Sequence, residues 1–334
     1  MVSTENSKTT SDINHKNKNF LNSTFKIYSI ILTAIIILIV IGEILSPGFA
    51  SIESVMNILA LSSMLAAASI GQTLIIIAGN SGLDLSVESM LSMGALVGSI
   101  LSGAQANNSI IAILGLIVLG GAIGLFNGLV IRFLHVPSFV LTMSMAIVIR
   151  GFIIAFTSGR PSGGTPKILN ELSIGNIWGP IRWLFLLGIV ITILVELLLR
   201  KTKYGKGLFL LGSNRNAAIL TGININYVII LTYIIAGICT TLSGYILLGV
   251  VGSATIQIGE GYGLLSIAAV VIGGTQLSGG KGGFIGTYLG SILMIVLSSV
   301  LIAVNIESGL RTLIQGFILL VIIIMYIRSD KLRQ

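Results

Sequence analysis

Histidine and cysteine are the side chains most often recruited for proton transfer, nucleophilic attack and metal ligation, and this chain holds only His15, His135 and Cys239. His15 lies in a polar stretch rich in Asn, Ser, Thr and Lys. Cys239 lies inside an apolar run, where a free thiol behaves as a small apolar residue. One cysteine excludes an internal disulfide, and neither a Ser/His/acid set, a Cys/His set nor a metal-ligand set can be assembled from these residues. The sequence predicts no catalytic residue and no metal site.

A second candidate chemistry is phosphate binding. Leu277-Ser278-Gly279-Gly280-Lys281 is a glycine-rich loop ending in Gly-Lys. A phosphate loop needs Gly six residues before the Lys and Ser or Thr directly after it, and the chain has Thr275 and Gly282 at those places. No polar stretch is long enough for a nucleotide domain. ATP is therefore not expected to bind this chain.

Two charges remain. Arg150 falls about twelve residues into an apolar stretch, where a charge costs roughly 2.5 to 3.5 kcal/mol and is usually paired or faces a water-filled path. Asp84 lies five residues after Gly79 in a glycine-containing break. It could coordinate, cap a helix starting near Ser86 to Ser89, or be solvated at the inner surface.

The elements that must position these residues begin with an internal repeat. Gly71 to Leu101, GQTLIIIAGNSGLDLSVESMLSMGALVGSIL, is echoed at an offset of about 192 residues by Gly263 to Leu293, GLLSIAAVVIGGTQLSGGKGGFIGTYLGSIL. Gly71, Gly82, Leu85, Ser86, Gly94 and Gly98 fall on Gly263, Gly274, Leu277, Ser278, Gly286 and Gly290. Each copy reads as apolar helix, break, apolar helix. Small residues at fixed spacing let helix backbones approach closely, and a broken helix marks where irregular backbone lines a cavity. Gln72, Asp84, Ser86, Asn127, Arg150, Thr275 and Gln276 are accordingly the candidates for the wall of a path through the bundle.

Composition fixes the solvent. Hydrophobic residues make up 54% of the chain, charged residues 9%, and mean hydropathy is +1.03. A soluble domain carries about one quarter charged residues, so the chain is read as an all-α membrane protein of about ten transmembrane helices with two broken-helix repeats. Residues 1–26 read as a disordered cytoplasmic tail, 27–327 as the transmembrane domain and 328–334 as a second cytoplasmic tail. Span 2 is expected over about Val55 to Ala78, an external loop over Ser158 to Pro180, and a polar hairpin over Gly252 to Tyr262. The net charge of +8 comes from residues that flank helices, which argues for a membrane and against nucleic acid. Ten spans would gather Lys26, Arg132, Arg200, Lys206, Arg215 and Lys281 on one side and leave Arg160, Lys167, Arg182 and Arg311 on the other, placing both termini in the cytoplasm.

The inner loop over residues 200–226 has more form than a linker. Ser213 and Asn214 are capping residues, Asn216 to Thr221 can make a short helix, and Gly222 is the expected stop.

The motifs, in order, resemble a known family. They are Gly82-Leu83-Asp84-Leu85-Ser86, Asn127-Gly128-Leu129, Pro137-Ser138-Phe139-Val140-Leu141-Thr142, Arg150-Gly151, Gly159-Arg160-Pro161, Gly212-Ser213-Asn214 with Ala217-Ala218 and Gly222-Ile223, Ile267 to Gly274, and Gly279-Gly280. Over about residues 50 to 327 the chain is similar to the permease subunits of ATP-binding-cassette sugar importers of the ribose, xylose and galactose type. The resemblance implies a separate ATPase that uses ATP and Mg, an extracytoplasmic sugar-binding protein, and a second permease subunit, identical or not. It also implies that Asn214, Arg215, Ala217, Ala218 and Gly222 belong to a coupling helix that touches the ATPase. Members often carry acids before IAAVVIGG, and here Gly261-Tyr262-Gly263-Leu264-Leu265 has neither, which leaves the sugar open.

Three other readings compete. Related permeases carry branched-chain amino acids or nucleosides. An ion-coupled secondary transporter would need acids inside spans, and Glu196 is the acid found there. A membrane scaffold or receptor gives no reason for two broken-helix repeats.

Overall fold

A computed structural model describes residues 25–79, 82–103, 108–159 and 164–331. Residues 1–24 of the expected tail, the Arg160-Pro161 part of one motif, and residues 332–334 lie outside the described residues; Phe25 and Lys26 already belong to the first helix.

The described residues are mostly helical, because lipid offers backbone amides no partner outside their own segment. In order the helices are α1 (Phe25–Leu45), α2 (Ile52–Ala68), α3 (Ile70–Ala78), α4 (Val87–Ser102), α5 (Ser109–Phe133), α6 (Ser138–Thr157), α7 (Lys167–Ile174), α8 (Trp183–Lys201), α9 (Lys203–Ser213), α10 (Arg215–Leu220), α11 (Ile225–Val251), α12 (Tyr262–Ile272), α13 (Phe284–Ala303) and α14 (Ser308–Lys331). Among the described residues, six of them, α1, α5, α6, α8, α11 and α13, are long and apolar enough to cross a membrane. A seventh span results if α2 and α3 are counted as one. Ten full-length helices are thus not what the lengths show: α4 and α12, of 16 and 11 residues, reach about 24 and 16 Å, short of the roughly 30 Å of hydrocarbon.

Three local differences from the sequence reading have physical causes. Span 2 bends by 43° at Ser69. The Ser69 hydroxyl donates to Leu65 O (2.7 Å), the back-bonding that bends helices, while Thr73 N still bonds Ser69 O at 2.9 Å. The segment expected as an external loop contains α7 and a small antiparallel hairpin, β1 (Asn176–Trp178) with β2 (Ile181–Arg182). Leu169 and Ser173 of α7 are buried against the end of α11, and the Ser173 hydroxyl donates to Ile246 O at 3.3 Å. Finally, Glu196 is not the only acid inside a span. Glu43 lies in α1 and its carboxylate accepts the Gly48 and Ala50 amides at 3.0 and 2.7 Å, holding the turn into α2.

The bundle is built around α11, which packs on α3, α4 and α5 with 14 of its 27 residues buried. Glycines make this possible. A Cβ on Gly237 would stand 2.1 Å from Gly120 O, and one on Gly124 would stand 2.2 Å from Tyr233 O, so α5 and α11 touch backbone to backbone. The repeated glycines serve the same end with different neighbours. Gly94 and Gly98 of α4 admit Thr241 and Tyr245 of α11, whereas Gly286 and Gly290 of α13 admit Gly273 and Ala269 beside and within α12. The second copy therefore folds back on itself, and the first opens out onto the central helix.

Candidate functional site: two breaks meeting under a short helix

Each repeat ends its first helix in a break, and the two breaks touch. After α3, Gly79 takes φ +83°, a conformation that favours glycine, and residues 82–86 climb back alongside α3. Gln72 Oε1 accepts the Asp84 amide at 3.2 Å, and Asp84 Oδ1 accepts the Ser86 amide and hydroxyl at 2.8 and 2.6 Å. The start of α6 supplies the other wall: Ser138 Oγ accepts the Leu83 amide (3.2 Å) and Thr142 Oγ1 that of Leu85 (3.0 Å). After α12, residues 273–283 form a tight loop in which Gln276 N donates to Lys281 O at 3.1 Å. Gly280 N then donates to Ile77 O at 2.9 Å, joining the second break to the last turn of α3.

A third backbone completes the junction. A Cβ on Gly212, at the end of α9, would stand 1.9 Å from Ile77 O and 2.5 Å from Gly280 N. One on Gly279 would stand 2.4 Å from Gly79 Cα. No side chain fits between the three segments.

Shortly after Gly212 the chain enters α10, which packs on α9. Its start is capped as the sequence predicts, with Asn214 Oδ1 accepting the Ala217 amide at 3.0 Å, and Gly222 closes it at φ +77°. Its two faces differ. Ala218 is fully buried in an apolar cluster with Leu208, Leu211 and Ile225, so it seats the helix and offers no outer surface. Ile219 and Leu220 are 56% and 87% exposed, beside exposed Arg215 and Asn216. Sequence reading missed this outward apolar pair, although two large apolar residues ending a six-residue polar-flanked helix are a visible signal.

Beneath α10 opens a cavity of about 520 Å³, lined among others by Gly79, Arg132, His135, Ser138, Gly212, Arg215 and Tyr233. On the opposite side of the junction, Glu196 and Arg200 of α8 hold residues 282–285.

The expected path residues do not form one set. Gln72, Asp84 and Ser86 are brought together and are 0%, 3% and 0% exposed; Thr275, also buried, and half-buried Gln276 lie in the second break. Gln72 Nε2 and Thr275 Oγ1 are buried without a partner among the described residues. Asn127 stands apart in α5, buried, with its Oδ1 unpartnered among them. Arg150 stands apart on α6, exposed, at a small cleft that it shares with Glu88 and Glu260.

Apolar helices in lipid-spanning number, two of them interrupted and meeting beneath an exposed short helix, define a multi-pass membrane permease. Residues 54–324 match the model of the family described as "Branched-chain amino acid transport system / permease component", and the chain belongs to that family. Similar curated proteins are the ribose import permease protein RbsC of Escherichia coli K12, 33% identical over 297 residues covering 88% of this chain and 91% of that one, and RbsC of Bacillus subtilis, 30% identical over 294 residues covering 86% and 89%. The autoinducer 2 import system permease protein LsrC of Escherichia coli SMS-3-5 is 28% identical over 296 residues, covering 88% and 84%. No solved structure matches the chain.

Proposed function

We propose that this chain is the membrane-spanning subunit of an ATP-driven importer that passes a sugar, or a small sugar-derived signal, into the cytoplasm. It binds no nucleotide itself. A separate ATPase, using ATP and Mg, docks on α10; a binding protein delivers substrate from outside; and a second permease subunit completes the path.

The observation that carries this reading is that α10 packs on α9, whose Gly212 closes the glycine junction of the two breaks. A partner that grips Ile219, Leu220 and Arg215 holds a short helix packed on α9, whose last-turn Gly212 touches both breaks through its backbone. Ribose and autoinducer 2 in the relatives' names favour a sugar over the amino acids in the family's description.

Ten passages are supported by connectivity where helix length alone gives fewer. The extended residues 82–86 with α4, and residues 252–261 with α12, each make one passage from two half-elements. Arg132, Arg200, Arg215 and Lys281 gather at the face of the junction, and Lys167 lies at the opposite end with α7. This asymmetry favours a cytoplasmic side for the junction, α10 and both termini.

Two measurements test the reading. Cells carrying the whole system should accumulate radiolabelled sugar from a panel of pentoses and hexoses and not labelled leucine; accumulation of leucine alone would return the family's amino-acid reading. Leu220→Asp should abolish co-purification of the ATPase, and an intact complex would sink the assignment of α10.

A further inference from the structure

The polar hairpin expected over Gly252 to Tyr262 does not stay at the surface. It runs back along α4. Gly164, whose carbonyl accepts the Ser99 hydroxyl at 2.9 Å, bridges to Ser253; Gly259 N donates to Ser92 Oγ at 3.1 Å; and Gly261 N donates to Glu88 Oε2 at 3.2 Å. From Ser99 to Glu88 is about 16 Å along α4. The hairpin thus descends along the side of the bundle to the level of Glu88 before α12 begins, and the first turns of α4 and α12 meet there.

Three ionisable side chains surround that meeting point. Glu88, Glu260 and Arg150 line one cleft with Gln257, Ser89 and Ser92. Arg150, Gln257 and Glu260 are exposed on the side of the bundle, and none of the three charges forms an ion pair within 4 Å with another described residue. Arg150 lies on α6 between Ile147 and Ile154, themselves 67% and 45% exposed, which is a lipid-depth strip. Charges at such depth are retained where they face water or a polar ligand, since facing lipid costs several kcal/mol each.

We propose that Glu88, Arg150, Gln257 and Glu260 form a hydroxyl-binding station on the transport path, suited to a neutral polyol. Carboxylates accept from vicinal hydroxyls, and the guanidinium and amide donate to them. Two carboxylates and one guanidinium, set against two helix N-termini of about half a positive charge each, sum to near zero. That balance selects against a free cation or anion and suits a sugar. The cleft, about 20 Å³, takes a single hydroxyl or water, so the sugar lies against the bundle and inserts one hydroxyl.

The proposal rests on the importer reading, and the test separates the two. Sugar uptake is measured in cells carrying the complete system with wild-type chain, Arg150→Gln, Glu260→Gln and, as a control remote from the cleft, Glu307→Gln. If the wild type imports no sugar of the panel, the importer reading fails. If it does, Arg150→Gln and Glu260→Gln should raise the KM for that sugar at least tenfold with ATPase co-purification intact, and Glu307→Gln should match wild type; an unchanged KM overturns the station. Against misfolding of those variants stands a second measurement in a Cys239→Ser background. Gln257→Cys should react with a water-soluble thiol reagent, and the imported sugar in excess should slow the reaction. No labelling, or labelling slowed by sodium and not by sugar, overturns it as well.

Discussion

Glu196 and Arg200, one turn apart on α8 and joined by an ion pair of 2.8 Å, grip the start of α13 from both sides of Gly283. Glu196 Oε2 accepts the amides of Phe284 and Ile285 at 2.7 and 3.3 Å, and the Arg200 guanidinium donates to Gly282 O at 2.9 Å. The α13 N-terminus is therefore capped by an acid from another helix, which satisfies orphan amides and complements the helix dipole. This gives Glu196 a structural use that needs no coupled ion.

Glu196→Ala should lower the stability of the purified chain by about 1–3 kcal/mol, the cost of leaving partly buried amides unmade. Glu196→Gln, which keeps an acceptor, should lose less. Thermal unfolding in detergent checks the order. A sodium-dependent loss of transport in Glu196→Gln, with stability unchanged, would reinstate the ion-coupled reading.

Gly237→Ala should be far more damaging than its chemistry suggests. The added methyl would lie 2.1 Å from Gly120 O, and both atoms belong to rigid helix backbone, so α5 and α11 must separate. Gly151→Ala, with nothing within 4 Å of its Cβ, should be neutral or slightly stabilising in the middle of α6. Comparing the yields of monodisperse protein for the two variants decides the point.

Gly280→Ala tests the junction separately from the fold. The residue has φ +71°, and a Cβ would meet Ser213 Oγ at 2.2 Å. The variant should assemble with the ATPase, since α10 itself is untouched, yet import should fall by an order of magnitude relative to ATP hydrolysis. Equal loss of both activities would show that the contact only holds the fold together.

Ala218→Glu and Leu220→Asp should fail for different reasons. The first buries a charge under α10, so the short helix unseats and thermal stability falls. The second changes an 87% exposed residue and should leave stability within about 0.5 kcal/mol while removing the partner. Parallel melting and pull-down measurements distinguish them.

Local signals were the legible part. Asn214 as cap, Gly222 as stop, and the two glycine breaks all announce themselves within a few residues, because caps and positive-φ turns are short-range physics. Ser69 gave no such signal, since its bend leaves the helical hydrogen bonds in place. What joins distant segments was not visible. Nothing near Gly212 indicates that it closes against Ile77 and Gly280, and nothing in the sequence pairs Glu88 with Glu260, which the descent of residues 252–261 brings to one cleft. The repeat showed that the breaks are related; the Gly280–Ile77 hydrogen bond and the close approach of Gly279 to Gly79 show that they touch.

Where Gly79, Gly212 and Gly279 meet, main chain rests on main chain. Side chains between moving parts can change rotamer and absorb a displacement; bare peptide planes in contact cannot. A shift of α10 that carries Gly212 with it is therefore passed on to both breaks without loss. The three glycines work as a bearing without play, and its tolerance, more than the strength of any bond around it, sets how small a movement outside the membrane can register within it.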